Sequence, residues 1–97
     1  MKKITIVGAG RVGESTAQSL AIAEYSHEVV LTDVREDAAK GVALDIQESA
    51  ILFGFDTKVY GDQDNKVMAG SDMVVITAGL PLHKAGTTNL ITVQPIE

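Results

Sequence analysis

Three glycines and one acid carry the clearest chemistry in this sequence. Gly8-Ala9-Gly10-Arg11-Val12-Gly13 has the spacing G-x-G-x-x-G, which gains meaning when a strand ends at its first glycine and a helix opens at its last. Each glycine then has a separate task. Gly8 permits a tight turn, Gly10 lets the backbone approach a pyrophosphate with no Cβ between them, and Gly13 lets the helix lie close to the sheet. The free N–H groups around Arg11 and Val12 would face an anion, and the helix dipole would add to the attraction. With no ligand, the same glycines make only a tight strand-to-helix turn.

Asp33 sharpens the choice of ligand. It stands twenty positions beyond Gly13, where dinucleotide-binding folds place an acid on the adenosine ribose. A carboxylate accepts hydrogen bonds from both ribose hydroxyls, each charge-assisted bond netting about 1.5–3 kcal/mol. The same charge repels a 2′-phosphate, so Asp33 points to NAD rather than NADP. Arg35, two residues on, is the opposing feature, because an arginine in this region can receive that phosphate. Asp33 read blandly is a solvated strand end or a helix cap. Thr77-Ala78-Gly79 follows an apolar run, and small residues there would leave room for a flat cofactor against the backbone. The plain alternative is a loop after a strand.

These residues need elements to hold them. Lys3 to Val7 is nearly all β-branched and reads as a short buried strand. From Val12 onward, Val12, Ala17, Leu20, Ala21 and Ala23 recur at helical spacing, as expected for a helix packed on a sheet. Glu28 to Thr32 reads as a second strand. Glu36 to Ala50 reads as a second helix with Ala39, Val42, Ala43, Ile46 and Ala50 on one face. Gly41 inside it costs about 1 kcal/mol against Ala, which suggests close packing at that point. Asp56 to Tyr60 can form a third strand, Gly61 to Asn65 a polar turn, and Lys66 to Ala69 a brief helical piece. Met73 to Thr77 is the strongest strand, apolar at nearly every position, which suits a parallel strand covered on both faces.

This order predicts an α/β fold: the first half of a Rossmann-type, doubly wound parallel sheet, with residues 1–97 forming one incomplete domain. The strand at Met73 would lie beside the one at Lys3. Its far edge would then have no partner, which natural folds avoid, so the chain is expected to be part of a longer one or to borrow a strand.

Composition narrows the function classes. The chain has 97 residues, 45% of them hydrophobic, and a net charge of −5. Its eight basic residues are scattered, which argues against nucleic acid as a partner. No cysteine is present, which excludes disulfides, thiol catalysis and Cys-ligated zinc. The apolar run after Lys2-Lys3 breaks at Gly8, short of the 7–15 residues or so of a secretion signal. No segment approaches the roughly 20 apolar residues of a membrane span. A soluble, cytoplasmic protein is the resulting expectation.

Four segments together resemble the amino-terminal part of the lactate and malate dehydrogenase family: Ile4 to Gly13, Gly41-Val42-Ala43-Leu44-Asp45-Ile46, Gly54 to Gly61, and Ser71 to Pro81. The resemblance runs from residue 1 to about residue 81. It implies an NAD-dependent, homo-oligomeric enzyme interconverting a 2-hydroxy acid and a 2-oxo acid. Gly79-Leu80-Pro81 leans towards malate. It also implies that the helix carrying Asp45 packs at a subunit interface; read from the residues themselves, it is equally an ordinary amphipathic surface helix.

The sequence then departs from the family. Family members continue with Arg-Lys-Pro-Gly and a further arginine, which grip the substrate carboxylates as bidentate guanidinium groups do well. Here Leu82-His83-Lys84-Ala85-Gly86 follows, and no arginine comes after Arg35. Where the family has a cofactor-contacting asparagine, the nearest residue is Pro95. The family's catalytic His and Asp lie beyond position 97, so no catalytic residue is assigned. His83 could exchange a proton near neutral pH, but no carboxylate lies near it in sequence, and a solvent-exposed loop residue is the plainer reading. Lys84 could attract a carboxylate only as a point charge. His27 reads as a surface residue. The alternative to a dehydrogenase portion is a non-catalytic NAD-binding sensor or subunit. A methyltransferase-type site for an adenosyl cofactor fits the glycine spacing less well.

Overall fold

The computed structural model describes residues 1–35, 37–77 and 92–95. Its elements are β1 (Lys3–Val7), α1 (Arg11–Ala23), β2 (Glu28–Thr32), α2 (Ala38–Glu48), α3 (Ala50–Phe53) and β3 (Lys58–Asp62). A 3-10 turn (Asn65–Met68), β4 (Met73–Ile76) and β5 (Thr92–Pro95) complete the order. The strands form one sheet in the order β3-β2-β1-β4-β5. β1 pairs in parallel with β2 and with β4, and β2 pairs in parallel with β3. This is the Rossmann-type first half expected from the strand and helix pattern.

Period-two alternation sorts the strand residues onto two faces. Ile4, Ile6, Val29, Leu31, Val59 and Val75 share one core with Ala17 and Ala21 of α1 and Ala39, Ala43 and Ile46 of α2. The alanines keep the helix surfaces thin, so both helices settle onto the same face. Thr5, Val30, Thr32 and Val74 are buried on the opposite face, where the hydroxyls of Thr5 and Ser71 hydrogen-bond to each other. Coverage of both faces explains why the strands are apolar almost throughout. Ile4, Ile6 and Leu31 are at most 1% exposed, and each such side chain contributes about 1.5–3 kcal/mol.

Side chains stitch the elements at their ends. The Thr57 hydroxyl donates to the Ala21 carbonyl at 2.8 Å, tying the end of α1 to the approach of β3. The Gln47 side chain accepts from Val59 N–H at 2.7 Å and donates to the Thr57 carbonyl at 3.4 Å. It therefore satisfies backbone groups along the outer strand of the sheet, which would otherwise be open. At the start of β1, the Asp72 carboxylate accepts from the N–H groups of Lys2 (2.6 Å) and Lys3 (3.0 Å).

Three expectations need correction. The outer edge of β4 is not bare: β5 pairs with it antiparallel, Ile76 opposite Thr92 and Met73 opposite Pro95. Fifteen positions separate Ile76 from Thr92, and an antiparallel return needs no helical crossover. Gly41 is not a close-packing site among the described residues, since a Cβ there would meet none of them within 4 Å. The close approach is at Gly61, where a Cβ would lie 2.2 Å from the Ala39 carbonyl oxygen. Gly61 accordingly belongs to β3 rather than to a turn.

Candidate functional site

Parallel pairing brings three strand ends together. Val7 at the end of β1 stands opposite Thr32 of β2 on one side and Ile76 of β4 on the other. The residues that follow, Gly8, Asp33 and Thr77, therefore meet at one edge of the sheet. β1 is also where the strand order reverses, and open α/β sheets bind ligands outside the carboxyl ends of their strands at that point.

The turn after β1 is built for backbone access. Gly8 has φ 109°, a conformation that disfavours any residue with a Cβ, and its N–H donates to the Thr32 carbonyl at 2.8 Å. Gly10 caps α1 with no side-chain hydrogen bond, and the first helical bond runs from Glu14 N–H to the Gly10 carbonyl at 2.8 Å. The N–H groups of Arg11, Val12 and Gly13 thus precede the first intrahelical bond, as at any helix start. A Cβ on Gly10 would meet none of the described residues within 4 Å. Packing among the described residues does not demand a glycine there, and the space in front of the helix mouth is left open. Gly13 is the reverse case: its Cβ would lie 1.8 Å from the Gly8 carbonyl oxygen and 3.0 Å from the Thr77 hydroxyl. Only glycine lets α1 start so close to the end of β1.

Asp33 closes the site from the neighbouring strand. Its side chain is 8% exposed, and Oδ2 accepts from Ala9 N–H at 2.8 Å. The acid is thus turned onto the glycine loop rather than away from it. Arg35 covers its other side: the backbone N–H and Nε donate to Oδ1 at 2.8 and 2.9 Å, and Nη2 donates to Oδ2 at 2.8 Å. The Arg35 guanidinium, followed by the two backbone N–H groups, outweighs burial and holds the Asp33 carboxyl well below the usual carboxylate range. Asp33 is an anion at any ordinary pH.

Thr77 has a positioning role. Its N–H donates to the Val7 carbonyl at 2.8 Å, and its buried hydroxyl lies 3.1 Å from the carbonyl oxygens of both Val7 and Gly8. It clamps the end of β4 to the glycine turn. That contact was invisible in the sequence, where Thr77 showed only as a small residue closing a strand. Ala78 and Gly79 lie outside the described residues, as do His83 and Lys84. Pro95 sits opposite Met73 at the far end of β4, because β5 runs antiparallel, and so is remote from the glycine turn. His27 is exposed and precedes the start of β2, at the sheet end opposite the site. Among the described residues, no cluster of His, Cys, Asp or Glu could hold a metal ion. A groove of about 240 Å³ lined by Lys40, Ala43, Leu44, Gln47, Val59, Tyr60 and Gly61 lies between α2 and β3. It lacks the convergent N–H groups and the buried acid of the glycine turn, so the chemistry is assigned to the turn.

A glycine turn feeding a helix at the reversal point of a parallel sheet, with an acid just past the next strand turned onto that turn, defines a dinucleotide-binding Rossmann domain. The chain belongs to the family described as lactate/malate dehydrogenase, NAD binding domain, whose model matches residues 2–93. It is 62% identical over 81 residues to a malate dehydrogenase from Thioalkalivibrio sulfidiphilus, covering 84% of this chain and 26% of that protein. Among solved structures it is similar to malate dehydrogenase from Salinibacter ruber, with a TM-score of 0.78 and 42% identity, covering 81% of this chain and 26% of that one. The lactate dehydrogenase of Cryptosporidium parvum, solved with lactic acid and nicotinamide adenine dinucleotide, has a TM-score of 0.78 at 39% identity, over 82% of this chain and 25% of that one. The chain thus spans about a quarter of the length of these relatives.

Proposed function

We propose that this chain is the NAD-binding portion of an NAD-dependent malate dehydrogenase, an oxidoreductase that interconverts malate and oxaloacetate. The observation that carries the reading is Asp33, buried and turned onto Ala9 N–H beside the mouth of α1. In this reading the backbone of Gly8, Ala9, Gly10, Arg11, Val12 and Gly13 holds the diphosphate. Asp33 takes the adenosine ribose, and Thr77, Ala78 and Gly79 are assigned to cofactor binding beside them. Bound NAD supplies the hydride acceptor; the residues named here bind and orient it. Malate as the substrate is supported by the identity of 62% to a malate dehydrogenase and by Gly79-Leu80-Pro81. A cytoplasmic setting and a place in the tricarboxylic acid cycle belong to the same proposal. No helix among the described residues is long and apolar enough to cross a membrane.

The reading assigns substrate binding and proton transfer to residues outside these 97. No arginine follows Arg35 to grip a carboxylate, and exposed His27 is at the wrong end of the sheet. The 97-residue chain is therefore expected to bind NAD and to oxidise no malate. A homo-oligomer is part of the proposal, supported by apolar side chains left outside the core along α2 and α3: Leu44 is 58%, Ile51 96% and Leu52 82% exposed. A non-catalytic NAD-binding sensor or subunit would share the same site, and the missing arginines favour it. The two readings separate on whether the natural polypeptide oxidises malate.

Calorimetric titration of NAD into the chain and into Asp33→Asn tests the binding site. Loss of a charge-assisted acceptor should weaken NAD by about 10-fold or more, equivalent to the 1.5–3 kcal/mol of such a bond. Equal affinity for both proteins would remove Asp33 from the site.

A further inference from the structure

Asp33 has no lone pair to spare. A carboxylate offers about four acceptor sites, and four N–H groups already point at this one: those of Ala9 and Arg35 from the backbone, and Nε and Nη2 of Arg35. The two backbone donors are fixed by the turn. The two guanidinium donors are not, because the Arg35 side chain is 61% exposed and can rotate into solvent without disturbing the core. A ribose diol also presents two donors to a carboxylate, and here a planar guanidinium fork takes both places.

We propose that Arg35 is an internal competitor of the adenosine ribose, a clasp that occupies Asp33 in the free protein and must swing off before the diol can bind. The proposal rests on the NAD-binding reading above and adds a specificity-determining residue to it. Two consequences follow. First, only molecules with the clasp open are competent, so the apparent dissociation constant is raised by the closed fraction. A clasp held by so exposed an ion pair weakens NAD by about 2- to 6-fold. Second, Asp33 and Arg35 together are electrically neutral, so the acid excludes a 2′-phosphate less firmly than a lone carboxylate would. A displaced guanidinium also remains nearby to meet that phosphate. Removing Arg35 should therefore move the two dinucleotides in opposite directions.

The test is calorimetric titration of NAD and of NADP into the unaltered chain, Arg35→Met and Arg35→Lys. Arg35→Met is expected to bind NAD about 2- to 6-fold more tightly and NADP more weakly than the unaltered chain. Arg35→Lys keeps the charge without the fork; it should share the gain for NAD and keep its hold on NADP. A nitrogen-15 spectrum gives an independent readout: the Arg35 Nε–H signal should move in Asp33→Asn, and move the same way when NAD is added to the unaltered chain. If the unaltered chain binds NAD but Arg35→Met binds it equally or more weakly, the clasp is refuted and the NAD site stands. An Nε–H signal indifferent to NAD refutes it too. If none of the three proteins binds NAD, the clasp and the underlying site assignment fall together.

Discussion

Gly10 and Gly13 lie three positions apart in one turn, yet a methyl group would have opposite effects at the two. At Gly13 it would strike the Gly8 carbonyl oxygen at 1.8 Å, a backbone atom that cannot turn aside. Gly13→Ala is expected to lower stability by at least about 2 kcal/mol in a denaturant titration. At Gly10 none of the described residues is in reach, so Gly10→Ala should unfold at the same denaturant concentration while losing NAD affinity by about 10-fold or more, equivalent to about 1.4 kcal/mol. A parallel loss of stability at Gly10 would make that glycine structural and remove the argument for a cradle. The pattern of glycines was legible in the sequence, and so was the acid twenty positions on. What could not be read there was which glycine serves the fold and which the ligand, since that depends on the strand end facing the helix. Nor could the sequence show that Arg35, read as a caution about phosphate, lies across the acid itself.

Among the elements, strands were more legible than helix packing. Apolar runs at Lys3–Val7, Glu28–Thr32 and Met73–Ile76 mark β1, β2 and β4 because these strands are buried on both faces and need no polar alternation. β3 was placed two residues early, because an outer strand with an exposed lysine and an internal glycine carries a weaker pattern. The close approach was expected at the wrong glycine: Gly41, on the outer face of α2, meets nothing among the described residues, while Gly61 of β3 presses against Ala39. Gly41→Ala should therefore stabilise the chain by about 0.5–1 kcal/mol, the ordinary preference for Ala in a helix interior. A raised thermal midpoint would agree, and a lowered one would mean that something else packs on that face. β5 lay beyond sequence reasoning, because a four-residue return strand has no periodic signal of its own.

Among the described residues, two carboxyls are held below their usual range. Asp72 is held below its usual range by the N–H groups of Lys3 and then Lys2, and Asp33 chiefly by Arg35. Folded values lowered in this way add stability that is present above the unfolded value of about 3.9 and is lost as pH falls through the folded one. Urea midpoints should thus stay level from neutrality to about pH 5 and fall below about pH 4, with a shallower fall in Asp72→Asn. An identical acid profile for that variant would contradict the anchoring of β1 by Asp72. At the alkaline end, burial and then Glu28 raise the Tyr60 hydroxyl above its usual value, so its contribution is lost as pH rises past about 10. All of this serves one arrangement, in which three parallel strand ends deliver a glycine turn, an acid and a threonine to the same edge. The most direct test follows every backbone N–H by nitrogen-15 spectroscopy as NAD is added to the chain. The largest shifts should fall on Gly8 to Gly13 and on Asp33 to Arg35, with Thr77 beside them. Shifts confined to Lys40, Gln47 and Tyr60 around the groove between α2 and β3 would place the cofactor elsewhere and contradict the site.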